Sequence, residues 1–142
     1  MLSVNELEDR LIDLAFAEDI GDGDHTTLCC IPDDAMGKSH LLIKEEGILA
    51  GVEIAKRVFA RFDPTMQVEV LINDGAHVKV GDIAMIVTGK VRSLLQTERL
   101  MLNIMQRMSG IATMTNKYVE RLKGTHTHVL DTRKTTPGLR ML

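Results

Sequence analysis

The chain has no tryptophan, one tyrosine and three phenylalanines among 142 residues. That is too few to build the aromatic stacking platforms that hold single-stranded nucleic acid. A cationic surplus is also missing. Lys and Arg number 17 against 20 Asp and Glu, a formal net charge of −3, so no overall basic field draws the protein to nucleic acid or to an anionic membrane. No apolar run approaches the roughly 20 residues that cross a bilayer. The acidic, amphipathic N-terminus has neither the basic n-region nor the apolar h-region of a signal peptide. The two cysteines are adjacent, Cys29 and Cys30. Sequence neighbours rarely meet disulfide geometry, and the pair reads as small buried hydrophobes in a cytoplasmic protein.

What is present is ordinary globular material, 44% apolar and 26% charged, in a length that suits about one domain with a respectable core. Nine methionines imply an adaptable core filled by Met and Leu. Any site for an anion has to be local.

Ser3 followed by Glu6 is a capping box, and the apolar spacing after it predicts a helix to about Asp19, stopped by Gly21 and Gly23. Leu7, Leu11, Leu14 and Ala15 form its expected core-facing stripe. Asp22-Gly23-Asp24-His25-Thr26-Thr27 reads as a polar loop. Asp22, Asp24 and His25 are possible metal ligands, but without a distant fourth group the local reading wins: Asp24 and the threonines bond nearby backbone and shape the turn. We assign no metal site. Strands are expected at Lys38–Lys44, Ile48–Ala50, Val68–Ile72, His77–Val80 and Ile83–Val87. A helix is expected over Val52–Phe62, ended by Asp63-Pro64. Strands interleaved with helices indicate an α+β domain.

The pattern Asp74-Gly75-x-x-Val78-Lys79-Val80-Gly81-Asp82 is similar to the half-repeat of lipoyl and biotinyl carrier domains and of related hammerhead folds. A carrier needs its lysine on an exposed hairpin tip within its own motif. Lys79 instead falls within an expected strand, so the similarity is taken as fold geometry, and His77 as an exposed strand residue. A further helix is expected from Arg92 to about Met108, apolar on nearly every face and therefore buried between layers. Arg99 and Asn103, four apart, project together from it. Ser109-Gly110 is expected to break this helix, with another from Ile111 to Lys123 capped by Gly124.

Thr127-His128-Val129-Leu130 reads as a buried strand emerging into the decapeptide Asp131-Thr132-Arg133-Lys134-Thr135-Thr136-Pro137-Gly138-Leu139-Arg140. An isolated Arg-Lys pair would be a solvated basic turn. At the carboxyl end of a strand, with three threonines and a Pro-Gly turn beside it, the pair suits an anionic small molecule: Arg grips a carboxylate or phosphate through two parallel bonds and Lys adds a mobile charge.

This segment resembles the signature of the quinolinate phosphoribosyltransferases (nicotinate-nucleotide pyrophosphorylases, carboxylating). A second matching stretch lies upstream, Glu98-Arg99-Leu100-Met101-Leu102-Asn103 and then Met108-Ser109-Gly110-Ile111-Ala112-Thr113. The resemblance spans essentially the whole chain but only the first half of the family's protein. It implies a hammerhead-like antiparallel α+β N-terminal domain over residues 1–109. Residues 110–142 would then begin an α/β-barrel that this chain does not complete, leaving it inactive alone. The implied reaction takes quinolinate and phosphoribosyl pyrophosphate to nicotinate mononucleotide, pyrophosphate and CO2 in NAD biosynthesis, with Mg2+, in a cytoplasmic homodimer or higher homo-oligomer. By the same resemblance Arg99 reaches into the partner subunit's site, Arg133 grips a pyridine carboxylate and Lys134 faces phosphate oxygens. Thr132 and Thr135 either offer hydroxyls to the same anions or shape the loop. On the residues alone Asp131 is read as a loop anchor and Arg140 equally as a structural ion-pair partner, and neither is assigned to the substrate. Two alternatives stay open: a molybdate-transport-associated homologue of this family, and a non-catalytic carrier-like module.

Overall fold

The computed structural model describes residues 2–142. It is an α+β fold. Helices α1 (Val4–Ile20) and α2 (His25–Cys30) are followed by strands β1 (Met36–Leu42) and β2 (Gly47–Ile48) and helix α3 (Val52–Phe62). Strands β3 (Gln67–Val70), β4 (His77–Val78) and β5 (Ile83–Lys90) then lead directly into the long helix α4 (Val91–Arg121). An antiparallel sheet has the order β1-β5-β3, and β2 pairs with β4 in a separate antiparallel ribbon. The register of β1 on β5 skips Ala84, since Leu41 faces Met85 and Leu42 faces Ile83. Such a bulge breaks strict alternation, and the consecutive residues Ala84 and Met85 are both fully buried. Helices α3 and α4 cover the sheet. The core joins Val52, Ala55, Val58 and Phe59 of α3 to Met85 and Val87 of β5 and to Leu100, Met101 and Met105 of α4.

Several local expectations are met. Ser3 Oγ accepts from the Glu6 amide at 3.2 Å while the Glu6 carboxylate accepts from the Ser3 amide at 2.7 Å, completing the capping box. Helix α3 ends at Asp63, ahead of Pro64. Its N-terminus has no side-chain cap of its own and borrows one, because Asp74 Oδ1 accepts from the Val52 amide at 2.8 Å. A carboxylate is favourable there, at the positive end of the helix. Asp24 caps α2, accepting from the Thr27 amide at 3.1 Å, so half of the expected loop is a short helix.

Other expectations are corrected. The stripe Leu7, Leu11, Leu14 and Ala15 is met only in part: Ala15 packs against the core and Leu11 is half-buried, but Leu7 and Leu14 are exposed, and Ile12, outside the stripe, is the fully buried residue of α1. The reason lies on other elements. Arg57 of α3 donates to Asp9 at 2.9 Å and to Glu8 at 3.0 Å, and Arg61 holds Asp13 through two bonds of 2.7 and 2.6 Å. These bonds fix the rotation of α1 about its axis, and one residue of rotation is about 100°. Cys29 and Cys30 are exposed free thiols, not buried ones, because α2 is too short to hide both sides. Strand β4 stops at Val78, and Lys79 opens a turn in which its amide donates to Asp82 Oδ2 at 3.0 Å.

Helix α4 runs unbroken through Ser109-Gly110. The Ser109 hydroxyl, which would weaken a helix by bonding its own backbone, is engaged elsewhere: it accepts from the Ala50 amide at 3.0 Å and donates to the Ala50 carbonyl at 3.1 Å. One turn on, Thr113 Oγ1 accepts from the Ile48 amide at 2.8 Å. These two hydroxyls serve as an edge for the backbone of residues 48–50. Nor is α4 covered all round; Glu98, Arg99, Asn103, Gln106 and Arg107 form an exposed polar side.

Thr127–Leu130 is not a strand here. It is exposed, Leu130 to 85%, and residues 122–142 form turns and no strand. A parallel strand requires a neighbour for its backbone groups, and no strand of the described residues lies beside it. Leu142 packs back against the core.

Candidate active site

Residues four apart on a helix lie on one face, so Arg99, Asn103 and Arg107 of α4 form a row about 12 Å long from end to end. Arg99 projects from it with its side chain 72% exposed, and its Nη1 donates to Asp19 Oδ1 at 2.8 Å. Asp19 stands in the last turn of α1. Around this pair opens a cavity of about 630 Å³ lined by Asp19, Asp24, His25, Arg99, Asn103 and Gln106, among others. A shallower cavity of about 480 Å³ continues along α4 and shares Asn103 and Gln106 with the first, ending at Arg107, Ile111 and Met114. The two make one trench along the exposed side of the helix, polar around Arg99 and more apolar toward Ile111 and Met114. The Asp24 carboxyl on its wall is held below its usual range, first by hydrogen bonds from Thr27 and further by the charge of Arg99.

The decapeptide loop reaches the end of this trench. Arg107 Nη2 donates to Thr136 Oγ1, which ties the loop to the helix that carries Arg99. Within the loop, the Lys134 amide donates to Thr132 Oγ1 at 3.2 Å and Arg140 Nη2 donates to the Arg133 carbonyl at 2.8 Å. Arg140 is thus a backbone clasp and not an ion-pair partner. Among the described residues the Asp131 side chain makes no hydrogen bond and does not anchor the loop in the expected way. Arg133, Lys134, Thr132 and Thr135 are all exposed, and neither Arg133 nor Lys134 is in an ion pair among the described residues. Arg99 and the Arg133-Lys134 pair share no hydrogen-bond partner.

Two residues of this arrangement escaped the sequence reading. Arg107 was legible in principle, at twice the spacing that pairs Arg99 with Asn103. Asp19 was not, since its partner lies 80 residues away. Another cavity, about 310 Å³ between β1 and α4, is lined by Phe59, Met85, Val87, Leu94 and Met101. Its apolar walls do not suit a polyanion. No group of three or more His, Cys, Asp or Glu side chains among the described residues is placed to hold a metal ion. No described helix is long and apolar enough to cross a membrane.

Residues 24–109 match the family described as "Quinolinate phosphoribosyl transferase, N-terminal domain", and residues 111–142 match its C-terminal domain. The chain is 45% identical over 133 residues to quinolinate phosphoribosyltransferase [decarboxylating] 1b of Nicotiana tabacum, covering 93% of this chain and 37% of that protein. It is 42% identical over 126 residues to the probable nicotinate-nucleotide pyrophosphorylase [carboxylating] of Synechocystis, covering 89% of this chain and 42% of that one. The crystal structure of NadC from Streptococcus pyogenes superposes with a TM-score of 0.91 at 39% identity, over 99% of this chain and 50% of NadC. The chain therefore spans about half or less of the length of the relatives it matches. With its antiparallel α+β fold, its decapeptide loop and its basic row on α4, the chain belongs to the quinolinate phosphoribosyltransferase family.

Proposed function

We propose that this chain carries part of the substrate site of a phosphoribosyltransferase. The enzyme would convert quinolinate and phosphoribosyl pyrophosphate to nicotinate mononucleotide, pyrophosphate and CO2, in NAD biosynthesis, as a cytoplasmic homodimer or higher homo-oligomer. The observation that carries this reading is the placing of cations that remain open to a ligand. Arg99 keeps most of its side chain in solvent, and among the described residues Arg133 and Lys134 stand outside any ion pair, on a loop fastened to the same helix. Both substrates are polyanions, and a chain of net charge −3 can hold them only where cations are gathered locally.

In this reading Arg133 fits a pyridine carboxylate through its planar fork, and Arg99 meets the same ring from a neighbouring subunit. Lys134 follows phosphate oxygens, whose geometry changes as pyrophosphate leaves. Thr132 and Thr135 add hydroxyl donors. Positive charge develops at the anomeric carbon and negative charge on the leaving pyrophosphate, so fixed cations at the latter stabilise the transition state more than the ground state. The Mg2+ that the resemblance implies has no built site among the described residues, and no step on this chain is routed through it.

Arg133→Ala, made in the protein purified from its own gene, should weaken quinolinate binding in calorimetry on the order of thirtyfold or more, as expected when one partner of a charge pair is removed. Its melting temperature should stay unchanged because the side chain is exposed. Unaltered affinity would reject the assignment.

A further inference from the structure

Resting on the function proposed above, we infer that Asp19 is a positioning residue for Arg99: it holds the guanidinium by one edge and presents the remainder of the fork to a dicarboxylate substrate. The contrast with a neighbouring pair carries the argument. Arg61 gives both Nε and Nη2 to Asp13, at 2.7 and 2.6 Å, and has its carboxylate-matching edge filled. Arg99 gives Asp19 only Nη1, at 2.8 Å, and its Nε and Nη2 make no hydrogen bond among the described residues. The two partners also differ in burial. The Asp19 side chain is 25% exposed and that of Arg99 72% exposed, so the carboxylate is the fixed post and the guanidinium the projecting arm.

The location of Asp19 supports the same reading. It sits one residue before the end of α1, whose last turn has no basic residue. A carboxylate at the negative end of a helix is unfavourable on its own account, and the charge that offsets it here is that of Arg99. An arginine has wide rotamer freedom that must be surrendered on binding. One bond that restricts the arm without covering its outer edge lowers the entropy lost when a carboxylate arrives. The cavity of about 630 Å³ in front of the pair leaves room for a planar ring.

Steady-state kinetics on the protein purified from its own gene test this. Asp19→Ala should raise KM for quinolinate about tenfold and leave kcat and the KM of the phosphoribosyl donor within about twofold, the pattern of lost substrate binding. Asp19→Asn keeps one acceptor oxygen and should recover part of the loss, to about threefold. It also serves as the test if the alanine variant fails to fold. In an Arg99→Ala background, Asp19→Ala should add nothing, because residues acting through one group are not additive. A fall in KM would mean that Asp19 blocks Arg99, and an undiminished effect in the double variant would mean a purely structural role. Either result overturns the inference, as does an unaltered KM in a competent enzyme. A wild-type protein that does not bind quinolinate would instead overturn the proposed function, and this inference with it.

Discussion

At the scale of single residues, the fold leans on side chains that satisfy backbone or charge far away in sequence. Asp63 shows the pattern. Its carboxylate accepts from Ser93 Oγ at 2.6 Å across 30 residues and from Thr65 Oγ1 at 2.6 Å locally, and these bonds, Ser93 first, hold it below its ordinary value of 3.8. Folding lowers this pKa, so the stabilisation is fully present above the unfolded value and disappears as pH falls through the folded one. Ser93→Ala should therefore cost on the order of 1 kcal/mol at neutral pH. The gap to wild type in urea denaturation should stay constant from about pH 5 to 8 and close below about pH 4. A gap independent of pH throughout would show that only packing around Ser93 was lost. At this same scale the sequence was most informative about the site, because an unusual decapeptide keeps its meaning without its neighbours. It was least informative about Asp19, which has no partner within its own helix.

Among the elements, α4 organises the rest. It covers the sheet, supplies the Arg99–Asn103–Arg107 row and lends the Ser109 and Thr113 hydroxyls to the backbone of residues 48–50. The fit at β2 is close: a Cβ on Gly47 would lie 2.4 Å from Thr113 Oγ1 and 3.2 Å from its Cγ2. Gly47→Ala should push Thr113 away, break its bond to the Ile48 amide and cost about 1–3 kcal/mol of stability. The Gly47→Ala/Thr113→Ala pair should cost clearly less than the sum of the single changes, since the clash and the bond involve one side chain. Additive losses would place the strain elsewhere. The expected break at Ser109-Gly110 failed for the same reason that this fit exists. A serine and a glycine are weak helix formers in isolation, and packing of one face on β2 outweighs that preference.

Over the whole molecule, burial is uneven along α4. Ser93, Thr97, Leu100, Met101 and Met105 are buried, whereas Ile111, Met114, Tyr118 and Val119 are largely exposed, as is Leu130. In the 142-residue chain, hydrogen exchange should be slowest between Ser93 and Ser109. Amides from Met114 to Arg121 should exchange on the order of tenfold or more faster, because most side chains of these turns are exposed. Uniform protection along α4 would contradict this picture. By itself the sequence determined what depends on neighbours along the chain: the capping box at Ser3, the stop before Pro64, the α+β order of elements and the signature loop. Only the tertiary structure decided which face of α1 is buried, that α4 continues past Gly110, and that Asp19 meets Arg99. Thr127–Leu130 makes the converse point: its strand-like pattern forms no strand without a neighbour. In each case the deciding energy comes from a bond or contact between distant segments, and such contacts leave no periodic trace in the segments they join.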